Sequence, residues 1–271
     1  MVHVTLERLH RGISACGKVK AIGLSSHPLP DRPDDGDIDL FVYCSAIPSI
    51  EERQRLYAAS AFDVPSLSCP AFSSSTWGEA DYLAIEGIET WIMYFTEVAA
   101  AAEVESIREG RRFRRESGFY PSGRLAMFRS MTILADKDGF LEGIKRSLVT
   151  YPEGLGKQLL REGLEAIQDD EDLLRAVTRK DPVFYHLAID DALDALLQVL
   201  YVLNKELFPS RKRVKEHLAT FGRLPDHAYA RIEGIIRLGG RKRTLGKSFR
   251  NYDALRKEVL RLAWAAQGEG K

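Results

Sequence analysis

The 271-residue chain has little of what would tie it to a disulfide scaffold, a membrane or a polyanion. Its three cysteines, Cys16, Cys44 and Cys69, are odd in number and far apart, with no CxxC or Cys/His metal spacing. That speaks against a disulfide framework and a zinc module; Cys16 and Cys44, in apolar settings, read as buried thiols, which suggests a reducing cytoplasm. No apolar run is long enough to span a bilayer, and the opening MVHVTLERLHRG lacks the apolar core of a signal peptide. The expectation is a cytoplasmic protein without a membrane partner. Lysine plus arginine (39) equals aspartate plus glutamate (39), so no global field draws the chain to nucleic acid; such a partner is possible but not favoured. Internal repeats and low-complexity tracts are also missing. What is present, 45% hydrophobic and 29% charged residues, suffices for a real core in one large domain or two ordinary ones.

The most informative local feature is Asp37-Ile38-Asp39, leading into the apolar run Leu40-Phe41-Val42-Tyr43. Residues two apart on a strand share a face, so both carboxylates project together from the start of one strand. A converging carboxylate pair is the kind of oxygen donor set that Mg²⁺ accepts, with water and phosphate oxygens completing its shell. The plainer alternative is an Asp-rich turn, Asp34-Asp35-Gly36-Asp37, ahead of a buried strand.

Along the chain, residues 4–14 are predicted helical, and Lys18 to Leu24 a strand that ends in the proline-rich loop SSHPLPDRPDDG. Asp37 to Cys44 is the second strand. Ser49 opens a helix with Glu52 at capping-box spacing. Strands follow at 81–86 and 88–96 around the turn Glu86-Gly87, then a helix over 97–116 and a strand from Met131 to Ala135. Beyond about residue 140 strand signals give way to three-and-four spacing, predicting helices at 140–148, 152–168, 170–178, 182–207, 211–220, 225–237 and 251–266. The fold class that follows is an α/β or α+β domain over 1–150 with a mixed sheet and helices, then an all-α helical bundle over 151–271.

Three pieces of the first half suit phosphoryl chemistry. Gly23-Leu24-Ser25-Ser26 ends the first strand, where small residues let backbone N–H groups and a hydroxyl approach a phosphate. Asp37 and Asp39 supply two metal ligands, and the strand Gly87 to Tyr94 offers Glu89 as a third carboxylate for in-line displacement. The segments AIGLSS (21–26), DGDIDLFVYC (35–44), IEGIETWIMYF (85–95), LADKDGFLEGIKRSLVTYP (134–152) and YHLAIDDALDALLQVLYVLNKELFPSRKRV (185–214) together resemble the polymerase-beta type nucleotidyltransferase superfamily. Within it they resemble the branch with a helical C-terminal domain that includes aminoglycoside and lincosamide nucleotidyltransferases, and an uncharacterised prokaryotic group of that branch.

The resemblance implies a Mg²⁺-dependent transfer of a nucleoside monophosphate from ATP or another NTP to a hydroxyl, with release of pyrophosphate. Gly23, Ser25 and Ser26 would bind the triphosphate, and Asp37, Asp39 and Glu89 the metal. Asp190 or Asp191, on the long helix, would act as the base, and the acceptor, most simply a small molecule, would enter between the two domains. Two departures stand out. The family's Gly-Ser signature reads Ser25-Ser26 here and a proline-rich loop follows. The third-acid position falls on Glu89 or on Trp91, which share a strand face. With Trp91 there, the chain would be a degenerate, non-catalytic nucleotide-binding or interaction protein of the same fold. Two basic clusters, Arg211 to Lys215 and Arg241-Lys242-Arg243 with Lys247 and Arg250, have the character of RNA or acidic-partner sites; the neutral charge balance favours solvated helix faces instead.

Overall fold

The computed structural model describes residues 2–26, 37–59, 67–85 and 87–268, with the side chains of residues 2–5 and 26 outside that description. The loop 27–36, the Asp34-Asp35-Gly36 turn and Glu86 therefore lie outside the described residues. The chain divides into two compact units, Met1–Ile107 with Arg124–Thr150, and Arg108–Gly123 with Tyr151–Lys271.

The first unit is a six-stranded mixed sheet with helices. In chain order its elements are α1 (Val2–Ser14), β1 (Val19–Ser26), β2 (Ile38–Cys44), α2 (Ile50–Ala59), β3 (Ser68–Ser74), β4 (Gly78–Ile85), β5 (Ile88–Thr96) and α3 (Glu97–Arg108). They are followed by α4 (Pro121–Ser130), which enters this unit at Arg124, β6 (Thr132–Asp136) and α5 (Phe140–Ser147). The strand order is β3-β4-β5-β2-β1-β6, and only the central β2/β5 pair is parallel. A central strand is covered on both faces, which is why Leu40 to Cys44 reads as a continuous apolar run. Ile38, Leu40, Val42 and Cys44 pack with Leu9, Ile13 and Tyr57 from α1 and α2. Phe41 and Tyr43 point the other way, onto Phe95, with Phe128 and Phe140 against Tyr43.

Local chemistry sets several boundaries. The Ser49–Glu52 capping box forms: Ser49 N–H donates to Glu52 Oε2 at 2.7 Å and Glu52 N–H to Ser49 Oγ at 3.3 Å. The predicted helix over 97–116 instead stops at Arg108. Gly110 sits at φ 76°, a left-handed stop, and the arginine run 111–115 is irregular, closed by a Glu116–Phe119 bridge. Two elements went unpredicted, β3 and α4. β3 joins β4 through a turn that ends at Gly78, the first residue of β4, which lies at φ 70°, and a Cβ there would collide with the Tyr94 carbonyl.

The second unit is helical: α6 (Glu153–Gln168), α7 (Glu171–Arg179), α8 (Pro182–Leu203), α9 (Val214–Leu218), α10 (Ala228–Gly239) and α11 (Leu245–Gly268). Asp181 caps α8, accepting from Val183 N–H at 3.0 Å and Phe184 N–H at 3.1 Å, with Pro182 in the first turn. The predicted helix at 211–220 shrinks to five residues, because Arg213 takes a left-handed conformation at φ 56° just before it. The helix predicted at 251–266 begins earlier, at Leu245. Among the described residues no helix is long and apolar enough to cross a membrane.

The cysteines are free thiols. Burial pushes the Cys44 thiol up to about 12, and burial with the nearby Asp81 carboxylate pushes Cys69 up to about 11. Because the thiolate is the nucleophile, native Cys44 at pH 8 should react with iodoacetamide at least about 100-fold more slowly than in urea. Peptide mapping by mass spectrometry reads this directly; equal rates in the two states would mean that Cys44 is not held in the core.

Candidate functional site

β2 carries the acidic pair to the edge of the sheet's second face. Asp37 lies immediately before the strand, Asp39 is its second residue, and both are half-buried. On one side Asp39 is paired in register with Ser26 of β1, across a bulge between Leu24 and Ser26 that contains the half-buried Ser25. The small-residue turn expected to meet phosphate is thus backbone-adjacent to the acidic pair. Gly23 sits deeper in β1, opposite Phe41, and a Cβ there would overlap the Met131 thioether. Its smallness makes room for Met131 inside the sheet unit.

On the other side the parallel β2/β5 register pairs Ile38 with Thr90 and Asp39 with Trp91. Residues paired in a parallel ladder point to the same face, so Trp91 stands beside Asp39. Glu89 shares that face one pleat nearer the start of β5, where it is exposed and lies opposite Ala84. Among the described residues no group of three or more His, Cys, Asp or Glu side chains is placed to hold a metal ion. The donor chemistry of Asp37 and Asp39 suits one Mg²⁺ carried on a triphosphate; among the described residues no third carboxylate is placed with them to bridge a second ion.

In place of a carboxylate, the position beside Asp39 carries an aromatic group. The Trp91 ring lies 5.0 Å from that of Tyr82 and 5.7 Å from that of Phe72, tilted in both cases. Farther along the same face, buried Arg124 lies over Phe41, Phe95 and Trp77, bonded to the Thr76 carbonyl, with its Nε 3.3 Å from Glu103 Oε2. That buried cation, which sequence reasoning missed, has no periodic signal because it sits on a helix otherwise lined by Leu125 and Phe128.

A second acid pair with the same spacing went unnoticed, Glu79-Ala80-Asp81 on β4. It faces α2, where Arg53 Nη1 donates to Glu79 Oε2 at 2.6 Å and to the Pro48 carbonyl at 3.0 Å. Arg53 Nε lies 2.9 Å from Asp81 Oδ2, close in charge but not aligned as a hydrogen bond. Tyr57 donates to the same Asp81 oxygen at 2.5 Å and pairs with the Tyr94 hydroxyl at 2.8 Å. Burial raises the Asp81 carboxyl above the usual carboxylate range, opposed by Tyr57 and Arg53. These acids are structural, held by one guanidinium.

In the helical unit, Asp190 is ion-paired with Arg211 at 2.8 Å, and Arg211 Nε also reaches Asp194 at 2.7 Å. Buried Asp194 further accepts from Tyr120 and from Gln198 at 2.9 Å. Burial and the Asp194 charge push the Tyr120 hydroxyl up to about 12. Of the two acids predicted to act as base, Asp190 is engaged by Arg211, and Asp191 is exposed.

The fold is therefore an α+β mixed-sheet unit that presents two carboxylates at the start of a central strand, with a helical unit beside it in the chain. The family described as Domain of unknown function (DUF4037) matches residues 119–213, which include Asp190, Asp194 and Arg211. Among solved structures, the chain is similar to a nucleotidyltransferase-like protein from Exiguobacterium sibiricum 255-15, at 12% identity and a TM-score of 0.47. That similarity covers 97% of this chain and 79% of the other. The comparison with curated proteins returned no match.

Proposed function

We propose that this protein binds a nucleoside triphosphate with Mg²⁺ through Asp37 and Asp39, and that its reaction is nucleotidyl transfer from ATP or another NTP to a hydroxyl. The observation that carries this reading is the placement of Asp39 between Ser26 and β5, with Asp37 two residues before it on the same side. Backbone N–H groups at a bulge beside two carboxylates can hold a phosphate chain and its counter-ion together. When bound, Mg²⁺ would neutralise the triphosphate and polarise the α-phosphorus. In the transfer, the acceptor oxygen forms a bond to that phosphorus, the bond to the bridging oxygen breaks, pyrophosphate leaves, and the acceptor proton passes to a base.

A second reading, binding without transfer, is favoured by one specific observation. Trp91 occupies the register position beside Asp39, where a third carboxylate would activate the acceptor. Both readings require the acidic pair. Asp37→Asn should weaken Mg²⁺-dependent ATP binding by at least about tenfold in calorimetry while leaving the melting temperature unchanged, since the side chain is half-buried at a strand end. Equal affinity would remove Asp37 from the site. A pyrophosphate-release assay over a panel of hydroxyl acceptors separates the readings: release in the wild type and its loss in Asp37→Asn supports transfer, and binding without release supports the second.

A further inference from the structure

At one end of the helical unit the close of α7, the start of α8, the close of α10 and the start of α11 meet. The Tyr185 hydroxyl donates to Ser248 Oγ at 2.9 Å, Ser248 donates to the Ile235 carbonyl at 2.7 Å, and Thr244 to the Leu238 carbonyl at 2.5 Å. A Cβ on Gly246 would lie 3.9 Å from Val177 Cγ1, so α11 starts against α7. Around this junction Arg241, Lys242, Arg243, Lys247 and Arg250 are all exposed, and none has an ion pair or side-chain hydrogen bond among the described residues. Arg179 and Lys180 at the end of α7, and Arg237 in the last turn of α10, extend the same surface and are equally unpaired among the described residues.

Several cations elsewhere in this unit find partners, Arg114 with Glu162, Arg211 with Asp190 and Asp194, Arg231 with Glu258, Arg256 with Asp170, while exposed Lys157, Arg161, Lys212 and Arg213 find none among the described residues. The acids on the junction's own elements are committed as well. Asp181 caps α8, Asp253 holds Arg256 and Lys257, and Glu258 holds Arg231, which leaves exposed Glu233 on α10 and exposed Asp191 farther along α8 as counter-charges. A chain of zero net charge thus gathers a dense group of unpaired cations at this junction.

Helix electrostatics explain part of the cluster and not the rest. Arg179 and Arg237 complement the negative ends of α7 and α10. Arg243, Lys247 and Arg250 do the opposite: they surround the positive end of a 24-residue helix whose first turn carries no acid. A local arrangement that works against stability, with no ion pair among the described residues offsetting it, points to a partner outside.

We propose that this junction is a nucleic-acid-binding surface that engages the phosphodiester backbone. Guanidinium forks match phosphate oxygens bidentately, and arginine dominates the cluster. The aromatic residues beside it offer no stacking platform, since Tyr252 is fully buried and Phe249 packs against the core. Binding is therefore through charge and insensitive to base sequence.

The test uses the full chain and fluorescence anisotropy with a labelled single strand of about 20 nucleotides, as RNA and as DNA, between about 50 and 200 mM salt. Wild type should bind at least one of the two with an affinity that falls steeply with salt. The exposed triple variant R241A/K242A/R243A should melt as wild type does and bind at least about tenfold more weakly. It should also lower the slope of log K against log salt by about 2, at roughly 0.7 for each phosphate no longer neutralised. K247A/R250A should lower it by about 1.4 on the same scale. No binding to either strand at the lowest salt, undiminished binding by both variants, or tighter binding to phosphatidylserine vesicles or to polyglutamate than to nucleic acid would each overturn the proposal.

Discussion

Arg53→Met is expected to destabilise the sheet unit by about 3–5 kcal/mol, the cost of leaving a buried charge without its partner. Arg53 and Asp81 are both fully buried. Their pairing compensates two desolvated charges at once, so losing the cation leaves the buried Asp81 carboxylate against the neutral Tyr57 hydroxyl and Cys69 thiol. Glu79 can turn to water because its side chain is 39% exposed; Asp81 cannot. With an m-value near 2 kcal/mol/M, the urea midpoint should fall by on the order of 2 M. The double variant R53M/D81L, which removes both charges, should recover most of that loss, since a buried pair is often no better than apolar side chains of similar volume. A single variant that unfolds within about 1 kcal/mol of wild type, or a double variant no better than the single, would contradict this account of the network.

Trp91→Asp is the second large effect, and it is a gain. The register puts residue 91 beside Asp39, so an aspartate there would complete three carboxylates on one face of β2 and β5. If the indole is what keeps the site from transfer, the substitution should raise Mg²⁺-dependent ATP affinity or pyrophosphate release by roughly tenfold to a hundredfold, the range that supporting groups around a metal command. Trp91→Leu controls for loss of the ring: it removes the packing on Tyr82 and Phe72 without adding a donor, and should give no gain. Trp91 is only half-buried, so both variants should remain folded. No gain from a folded Trp91→Asp that still binds ATP would show that the third position does not limit the reaction.

The Arg53 network and the Asp39–Trp91 register differ in how they could be found from sequence. Glu79 and Asp81 have the same spacing as Asp37 and Asp39, and in sequence nothing tells a metal pair from a salt-bridge pair. What separates them is α2, which lays Arg53 over one pair. The long-range register of a parallel pair is likewise silent in sequence, because residues 89 and 91 satisfy the same alternation. Edge strand β3 was missed because SCPAFSS is mostly exposed and its alternation is weak. α4 was missed because PSGRLAMFRS buries an arginine alongside its leucine and phenylalanine, which blurs its apolar stripe.

By itself the sequence determined the elements with strong local chemistry. These are the Ser49–Glu52 cap, the central apolar strand behind Asp39, the Asp181-Pro182 start of α8 and the passage from mixed strands to helices alone. Each follows from hydrogen bonds or burial patterns among residues a few positions apart. Tertiary structure alone decided what those elements meet. It set Trp91 beside Asp39, spent Glu79 and Asp81 on Arg53, engaged Asp190 with Arg211, and gathered the unpaired cations of three helix ends. Such pairings join residues far apart in the chain, and the free energy that selects them belongs to the packed whole and to no single segment.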